Sequence, residues 1–181
     1  MKLDKKKILF VLGGIVVVTA IKNLSIVKQL SDKFGLVIGG KPPGPYLKYG
    51  AKRPSHIHKG IDIRAKENSP IYSAKNGVIS LILKDGKARG YGNLVVVRHD
   101  NNEQTLYAHL AKFGPIKIKQ KIKQGQLIGY VGKTHAPNTG KMSPHLHFEV
   151  HLAHTNKINR STPERVDPET WLKDNNISIG V

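Results

Sequence analysis

The sequence from residue 144 to residue 150 reads Pro144-His145-Leu146-His147-Phe148-Glu149-Val150. Polar and apolar residues alternate along it, which predicts a half-buried β-strand with both histidines on one face. At a rise of about 3.3 Å per residue, the two imidazoles would lie about 6.6 Å apart. One ring could therefore bind a metal ion while the other reaches a group held by that metal, although two exposed histidines on a strand would give the same pattern.

Composition restricts the kind of site to which this strand can belong. The chain has 181 residues, no cysteine and nine histidines. This length fits one domain with its own hydrophobic core. Without cysteine there is no disulfide, no thiolate zinc site and no cysteine nucleophile, so a metal site must use His, Asp, Glu or water.

The charge balance is strongly basic, with 30 Lys and Arg against 12 Asp and Glu and a formal net charge of +18. Such a surface favours polyanions, which include nucleic acid, anionic lipid headgroups and the acidic polymers of a bacterial wall, but lysines that only provide solubility would give the same balance. No nucleic-acid-binding motif accompanies the charge, so we expect no specific nucleic-acid partner.

The segment 116–123 alternates lysine with isoleucine. This alternation predicts a strand with one core face and one basic face. The basic face either binds an anionic polymer or protects the edge of a sheet from pairing with another chain.

The N-terminus has the pattern of a membrane-targeting segment. Lys5-Lys6-Lys7 precedes an uncharged run that ends at Ile21. A helix over residues 8–21 spans only about 21 Å, which suits a signal peptide or a short anchor extended by the apolar stripe that follows. We therefore predict a hydrophobic N-terminal helix at residues 1–22 as anchor or signal segment, a helical stalk and Gly/Pro linker at residues 23–45, and one folded domain at residues 46–181.

Short apolar runs separated by Gly, Asn and Asp turns fill this domain and indicate an all-β fold. We expect a compact antiparallel β-sheet or sandwich with a groove that contains the metal site. Near the C-terminus, residues 169–172 predict a turn of helix that packs Trp171 on the body. The predicted strands are 71–74, 77–83, 94–99, 104–109, 127–131 and 146–151.

Two further clusters supply partners for the histidine strand. His58 and Asp62 lie four residues apart on either side of Gly60. A turn at the glycine would let both side chains converge. With one histidine of the 145/147 pair they provide two imidazoles and one carboxylate, the ligand count of a catalytic zinc site that leaves one position open for water. His109 ends a strand-like run and would by itself indicate only a structural or solvated residue.

Eight short segments follow one another along the chain in a recognisable order. They are 49–53 (YGAKR), 58–63 (HKGIDI), 70–74 (PIYSA), 90–99 (GYGNLVVVRH), 105–110 (TLYAHL), 125–129 (GQLIG), 144–150 (PHLHFEV) and 166–168 (VDP). Over about residues 46 to 170, this set resembles the lysostaphin-type zinc metallopeptidases, the LytM-like endopeptidases that cut peptide cross-links in bacterial peptidoglycan.

The resemblance implies roles for five residues. His58, Asp62 and His147 would bind one Zn²⁺ per chain, with water or the scissile carbonyl in the open position. His109 and His145 would form the catalytic pair. One would act as general base toward the attacking water and the other would stabilise the tetrahedral oxyanion, and the resemblance does not decide which is which.

Further residues lie near the predicted site. Glu149 shares the strand face of the two histidines and either orients one of them or is an ordinary surface carboxylate. His99 and His151 are expected at strand ends or on the surface. His135 and Ser143 stand where the family usually has glycine, in a segment longer than the family pattern, which changes one groove wall but none of the predicted site residues.

The resemblance implies a zinc-dependent endopeptidase that hydrolyses peptide cross-links or stem peptides of bacterial peptidoglycan. We expect it to be membrane-anchored at the periplasmic or outer wall side of a cell envelope, or in a virion membrane if a phage encodes it, with peptidoglycan and anionic wall polymers as partners. Two alternatives stay open. One is a catalytically inactive relative that binds wall or activates another hydrolase; the other is a lipoyl- or biotinyl-type carrier, which the hairpin-like segment 123–129 resembles but which leaves the histidines unexplained.

Overall fold

The computed structural model describes residues 44, 47–84, 90–100, 103–135, 142–152 and 165–179. The predicted N-terminal helix and stalk lie outside these residues. Among the residues described, no helix has the length and apolar character that crossing a membrane requires. The elements are β1 Ile61–Arg64, β2 Pro70–Tyr72, β3 Gly77–Leu83, β4 Leu94–Arg98, β5 Glu103–Ala108, β6 Leu110–Phe113, β7 Lys121–Ile122, β8 Leu127–Val131, β9 His145–Leu152, β10 Arg165–Val166 and α1 Pro168–Asp174.

The strands pair antiparallel in two sheets. The large sheet has the order β1-β9-β5-β4-β3-β7, with β10 also paired to β9, and the small sheet has the order β2-β8-β6. Ile63 and Phe148 of the large sheet share one hydrophobic core with Ile71 and Ile128 of the small sheet. The predicted antiparallel all-β architecture is therefore confirmed.

Strand β9 is the longest of the described strands and has neighbours on both sides. It pairs with β5 on one side, and with β1 and then β10 on the other. Leu146 and Phe148 are fully buried in the core. Because side chains alternate along a strand, His145 and His147 lie on the opposite face, as the sequence predicted.

The register between β1 and β9 sets Asp62 directly opposite His147. Gly60, just before β1, permits this close approach. A Cβ atom there would lie 2.4 Å from the carbonyl oxygen of Phe148 and 3.0 Å from Cε1 of His147. No larger residue fits without moving one strand away from the other.

The lysine-rich segment 116–123 differs from its prediction. Only Lys121–Ile122 forms a strand, and Lys119 adopts a φ angle of 67° in the preceding turn. This left-handed conformation breaks the alternation of faces. Ile116 still packs partly against the core, but Ile118 is 51% exposed. The prediction of a continuous core face along this segment is therefore wrong.

The predicted terminal helix is present as α1. Asp167 caps it by accepting a hydrogen bond from the Glu169 N–H, and Pro168 occupies its first turn. Trp171 is buried, and its indole N–H donates to Glu103 at the start of β5. The prediction that Trp171 packs on the body is confirmed.

Candidate metal centre

Three side chains that could bind a metal ion converge at one end of the large sheet. Nε2 of His58 lies 3.1 Å from Oδ1 of Asp62 and 3.1 Å from Nδ1 of His147, and these last two atoms lie 2.8 Å apart. All three residues are buried. With bonds of about 2.0 to 2.1 Å, a tetrahedral zinc ion separates neighbouring ligand atoms by about 3.3 Å. The donor triangle, meaning these three atoms, is close to one face of that tetrahedron and fits zinc.

The loop before β1 holds His58 in one orientation. Its N–H donates to the Ala51 carbonyl, and its carbonyl accepts from the Gly50 N–H, each at 2.9 Å. In the ring, Nδ1 lies 2.8 Å from the Lys48 carbonyl oxygen. A carbonyl can only accept, so Nδ1 carries the proton and Nε2 offers its lone pair to the donor triangle.

Arg53 gives the two oxygens of Asp62 different surroundings. Its guanidinium pairs with Oδ2, whereas Oδ1 faces His58 and His147. Burial opposes ionisation of Asp62, but the contacts with the His147 and His58 rings outweigh it and hold the pKa of Asp62 well below its usual range. Asp62 is therefore a carboxylate with one oxygen directed at the metal position.

The opposite side of the His147 ring contacts Glu149, with Nε2 of His147 lying 3.0 Å from Oε1. Burial favours the neutral ring, but hydrogen bonds to Asp62 and Glu149 outweigh it and raise the pKa of His147 to about 9. A metal ligand must be a neutral imidazole, so a metal that binds here displaces this proton.

Glu149 is only 1% exposed and is surrounded by donors. The Tyr91 hydroxyl donates to Oε1 at 2.7 Å, the Arg165 Nε donates to Oε2 at 2.8 Å, and Nε2 of His151 lies 2.6 Å from Oε2. Burial disfavours its charge, but the histidine hydrogen bonds hold the pKa of Glu149 well below its usual range. Of its two sequence interpretations, the geometry supports orientation of a histidine. His151 belongs to this cluster and lies near the end of β9, so of its two expected positions the strand end is correct and the surface is not.

His109 and His145 flank the donor triangle. Their ring centres lie 4.8 Å apart, and Nε2 of His145 lies 3.7 Å from Oδ1 of Asp62. Each ring donates its Nδ1 proton to a backbone carbonyl, that of Thr134 for His109 at 2.7 Å and that of Ser143 for His145 at 2.8 Å. Burial lowers the pKa of both rings, and for His109 it falls to about 3. Both rings are therefore neutral near pH 7, with an unprotonated Nε2.

The connection from β5 to β6 places His109 by a strained backbone. Its φ angle of 62° is one that residues other than glycine rarely adopt. The His109 N–H donates to the Tyr91 carbonyl at 2.9 Å. Next to it, the Thr134 hydroxyl donates to the Leu110 carbonyl and accepts from the Asn93 N–H, each at 2.9 Å. These bonds hold the turn and keep the Thr134 carbonyl at the His109 ring.

The structure brings the five predicted site residues into one cluster, and their catalytic roles stay predictions. Sequence reasoning assigned no role to Arg53, Tyr91 or Arg165, which hold the two carboxylates. Arg53 lies nine residues before Asp62, and Tyr91 and Arg165 are separated from Glu149 by 58 and 16 residues. One sequence signal was available for these residues. Glu149 stands on a half-buried strand, and a buried carboxylate needs hydrogen-bond donors around it.

Known proteins are similar to this chain in sequence and in fold. The DD-carboxypeptidase/endopeptidase Mpg of Neisseria meningitidis is 40% identical over 96 residues, which cover 53% of this chain and 20% of that protein. The peptidoglycan DD-endopeptidase ShyA of Vibrio cholerae is 37% identical over 94 residues, which cover 51% of this chain and 20% of that protein. The matches therefore span about one fifth of the length of these relatives.

A solved structure gives the same result for the fold. The catalytic domain of the antimicrobial peptidase lysostaphin from Staphylococcus simulans has a TM-score of 0.56 at 26% identity, with 74% of this chain and 92% of that chain covered. The predicted resemblance to lysostaphin-type peptidases is confirmed. The profile of Peptidase family M23 matches residues 56–160, which is more than half of the sequence, and the chain belongs to this family.

Proposed function

We propose that this protein is a zinc-dependent endopeptidase that hydrolyses peptide cross-links or stem peptides of bacterial peptidoglycan. The observation that carries the proposal is the donor triangle of His58, Asp62 and His147 with two further neutral imidazoles beside it. Two imidazoles and one carboxylate are the ligand set of catalytic rather than structural zinc sites, because they leave a coordination position open. The names of the relatives Mpg and ShyA both include endopeptidase activity, and that of ShyA names peptidoglycan as well, which supports the same reaction and substrate.

Zinc held by these three side chains would supply a Lewis acid that polarises a peptide carbonyl and acidifies water. The chain's own residues prepare the site for it. Arg53 keeps one oxygen of Asp62 occupied, so the other is left for the metal. Lys48 and Glu149 fix the rings of His58 and His147 from behind, which removes rotational freedom that binding would otherwise have to restrict.

His109 and His145 would carry out the proton transfers. A neutral Nε2 can accept the proton of the attacking water, and the second ring can donate a hydrogen bond to the oxyanion once its own Nε2 has taken up a proton from solvent. The carbonyls of Thr134 and Ser143 keep both rings in the tautomer with Nε2 free. Glu149 faces His147 and Arg165, so it is not placed to act as the base.

We also propose that the protein acts at the cell envelope. The lysine-flanked apolar run supports an anchor or signal segment at residues 1–22, followed by a stalk and linker to residue 45 and the catalytic domain at residues 46–181. Wall remodelling by a bacterium and wall lysis by a phage both fit this arrangement.

The test uses full-length protein and purified peptidoglycan, with the released muropeptides identified by mass spectrometry. We expect cleaved cross-links or shortened stems, loss of cleavage with a chelator and recovery with zinc. His147→Ala should be inactive, whereas Lys173→Ala, an exposed change on α1, should keep full activity. Cleavage that continues with chelator or with His147→Ala would refute the zinc mechanism. Wall binding without any new muropeptide would favour the inactive, wall-binding alternative.

A further inference from the structure

A pocket with a volume of about 710 Å³ lies at the far end of the large sheet from the metal centre. Its lining includes Val78, Arg98 and Lys121. Val78 of β3 pairs with Arg98 of β4 on one side and with Lys121 of β7 on the other. Directly opposite residues share a sheet face, so Val78 forms a floor between two cations whose strands are about 9.6 Å apart.

This pocket lies on the same face of the sheet as the metal centre. Arg98 is paired with Gln104 of β5, and Gln104 with His151 of β9. His151 and His147 are an even number of residues apart on β9, so they share that face. Four strand spacings and four residues along the strand separate Lys121 from His147, which is an offset of roughly 20 Å. A ligand in this pocket would therefore leave the metal centre accessible.

More positive charge surrounds the pocket. Lys117, Lys119 and Lys123 are exposed in the segment that enters and leaves β7. In the described part of the chain, neither these three lysines nor Lys121 nor Arg98 forms an ion pair with a carboxylate, and Asp100 is the one acidic residue in the pocket lining. These five cations, here called the far-end cluster, are Arg98, Lys117, Lys119, Lys121 and Lys123.

Edge protection explains only part of this cluster. Strand β7 is the last strand in the sheet order, and lysines on an edge strand discourage pairing with another chain. Edge protection does not explain Arg98, because β4 lies inside the sheet between β5 and β3. Lys117 precedes β7 in a turn closed by the Gln120 N–H. The positive charge therefore extends from the edge onto the sheet face and into a pocket.

We propose that the far-end cluster is a second binding site for a flexible polyanion whose charges are phosphodiester groups, as in the anionic polymers of a bacterial wall. The choice of polymer rests on the proposed function, which places the chain at the wall. Lysines are mobile point charges and suit spaced phosphates on a flexible chain. The pocket lining contains no Phe, Tyr or Trp on which a nucleic-acid base could stack. Within the segment 116–123, Ile118 is the one exposed large apolar side chain, too little to insert into a membrane.

Such a site would keep the enzyme on its substrate. A polymer bound at the far-end cluster raises the local concentration of neighbouring peptide cross-links at the metal centre without competing for it. Hydrolysis of intact wall would then depend on the cluster, whereas hydrolysis of a soluble muropeptide would not.

The experiment measures binding of a glycerol phosphate oligomer to full-length His147→Ala protein, which separates binding from hydrolysis. We expect Arg98→Gln with Lys121→Gln to lower affinity about tenfold at low salt. The slope of log affinity against log salt should fall by about two, roughly one per removed cation. The matched control, Lys66→Gln with Lys173→Gln, removes two exposed lysines elsewhere and should leave affinity within about twofold.

Several results would overturn the proposal. An equal loss in the control pair would mean that net charge alone drives binding. Tighter binding, at equal phosphate concentration, to double-stranded DNA or to phosphatidylglycerol vesicles would assign the surface to nucleic acid or to a membrane.

In a background with His147 intact, Arg98→Gln with Lys121→Gln should cleave a soluble muropeptide at the wild-type rate. A lower rate would place the pair in the catalytic machinery, and the absence of cleavage by wild type would instead refute the proposed function.

Discussion

His147 and His145 lie on one strand face, but only His147 belongs to the donor triangle. Nδ1 of His147 is 2.8 Å from Oδ1 of Asp62, whereas Nε2 of His145 is 3.7 Å from the same atom. The Ser143 carbonyl fixes the His145 ring, while Glu149 fixes the His147 ring. Two neighbouring histidines therefore have different partners, and their substitutions should have different effects.

His147→Ala should lose both zinc and activity, because the remaining donors of the triangle, His58 and Asp62, cannot by themselves complete a catalytic zinc site. His145→Ala should lose activity and keep most of its zinc, because the triangle stays intact. Zinc content after dialysis, measured by mass spectrometry, checks this, with circular dichroism as the control for folding. Equal loss of zinc in both variants would contradict the assignment.

Glu149→Gln should weaken zinc binding by about 10-fold to 100-fold. A neutral amide is a weaker acceptor for the His147 ring and leaves the buried charge of Arg165 without its carboxylate. Competition with a chelating dye measures the affinity. Glu103→Gln is the matched control. Like Glu149, Glu103 accepts hydrogen bonds from a cationic side chain and from an aromatic one, here Lys75 and Trp171, but it lies away from the metal centre. Equal zinc affinity in Glu149→Gln and wild type would show that His147 needs no support.

The metal donors could be predicted from sequence because each belongs to a short local pattern. His58 and Asp62 lie four residues apart on either side of Gly60, and His147 stands in an alternating strand. Their supports could not, because Tyr91 and Arg165 meet Glu149 only when separate strands pair. Tertiary contacts of this kind leave no fixed spacing in the chain.

At the scale of elements, strands with one buried face were predictable and short strands were not. The predicted ranges 77–83 and 127–131 agree with β3 and β8. Strand β1 is different, because its sequence Ile-Asp-Ile-Arg alternates apolar with charged residues while Ile61, Asp62 and Ile63 are all buried. Asp62 is buried because it faces the donor triangle, so alternation in this sequence does not translate into alternation of exposure.

Gly60→Ala should destabilise the protein by about 1 to 3 kcal/mol and weaken zinc binding. Its Cβ would lie 2.4 Å from the backbone oxygen of Phe148, which cannot rotate away as a side chain can. β1 must then shift from β9 at the position where Asp62 faces His147. Gly44→Ala is the control, because no atom lies within 4 Å of the added Cβ. Urea unfolding measures the stability and zinc titration measures the affinity. Wild-type stability and zinc affinity in Gly60→Ala would disprove the need for a close approach of β1 and β9.

At the scale of the whole molecule, stability should depend on pH through a buried histidine far from the metal. His99 directly follows β4, as one of its two expected positions, but it is only 4% exposed and hydrogen-bonds to the Asn76 carbonyl and the Thr105 hydroxyl. Burial lowers the pKa of His99 from 6.5 to about 4. Between these values the unfolded ring binds a proton that the folded ring does not. Stability is therefore lost as pH falls from 6.5 toward 4, by up to about 3 kcal/mol.

His99→Gln tests this contribution. The stability difference between wild type and variant should shrink as pH falls from 7 to 4.5, because the wild type alone loses the contribution of His99. Urea unfolding at several pH values, with chelator present in all samples, measures the difference without any effect of bound metal. A difference that stays constant with pH would contradict the prediction.

Metal removal should lower the stability of the whole fold, because the donor triangle joins the loop before β1 to β1 and β9. A ligand that binds only the folded state, at a free concentration of about 1,000 times its Kd, adds about 4 kcal/mol to the free energy of unfolding. For a domain of this size, this raises Tm by roughly 10 °C. Zinc-loaded wild type should therefore melt about 10 °C lower after chelation, and so should His145→Ala. His147→Ala should show no shift, since it has no complete site to empty. A chelation shift of the same size in His147→Ala would mean that the stabilising metal binds somewhere other than this triangle.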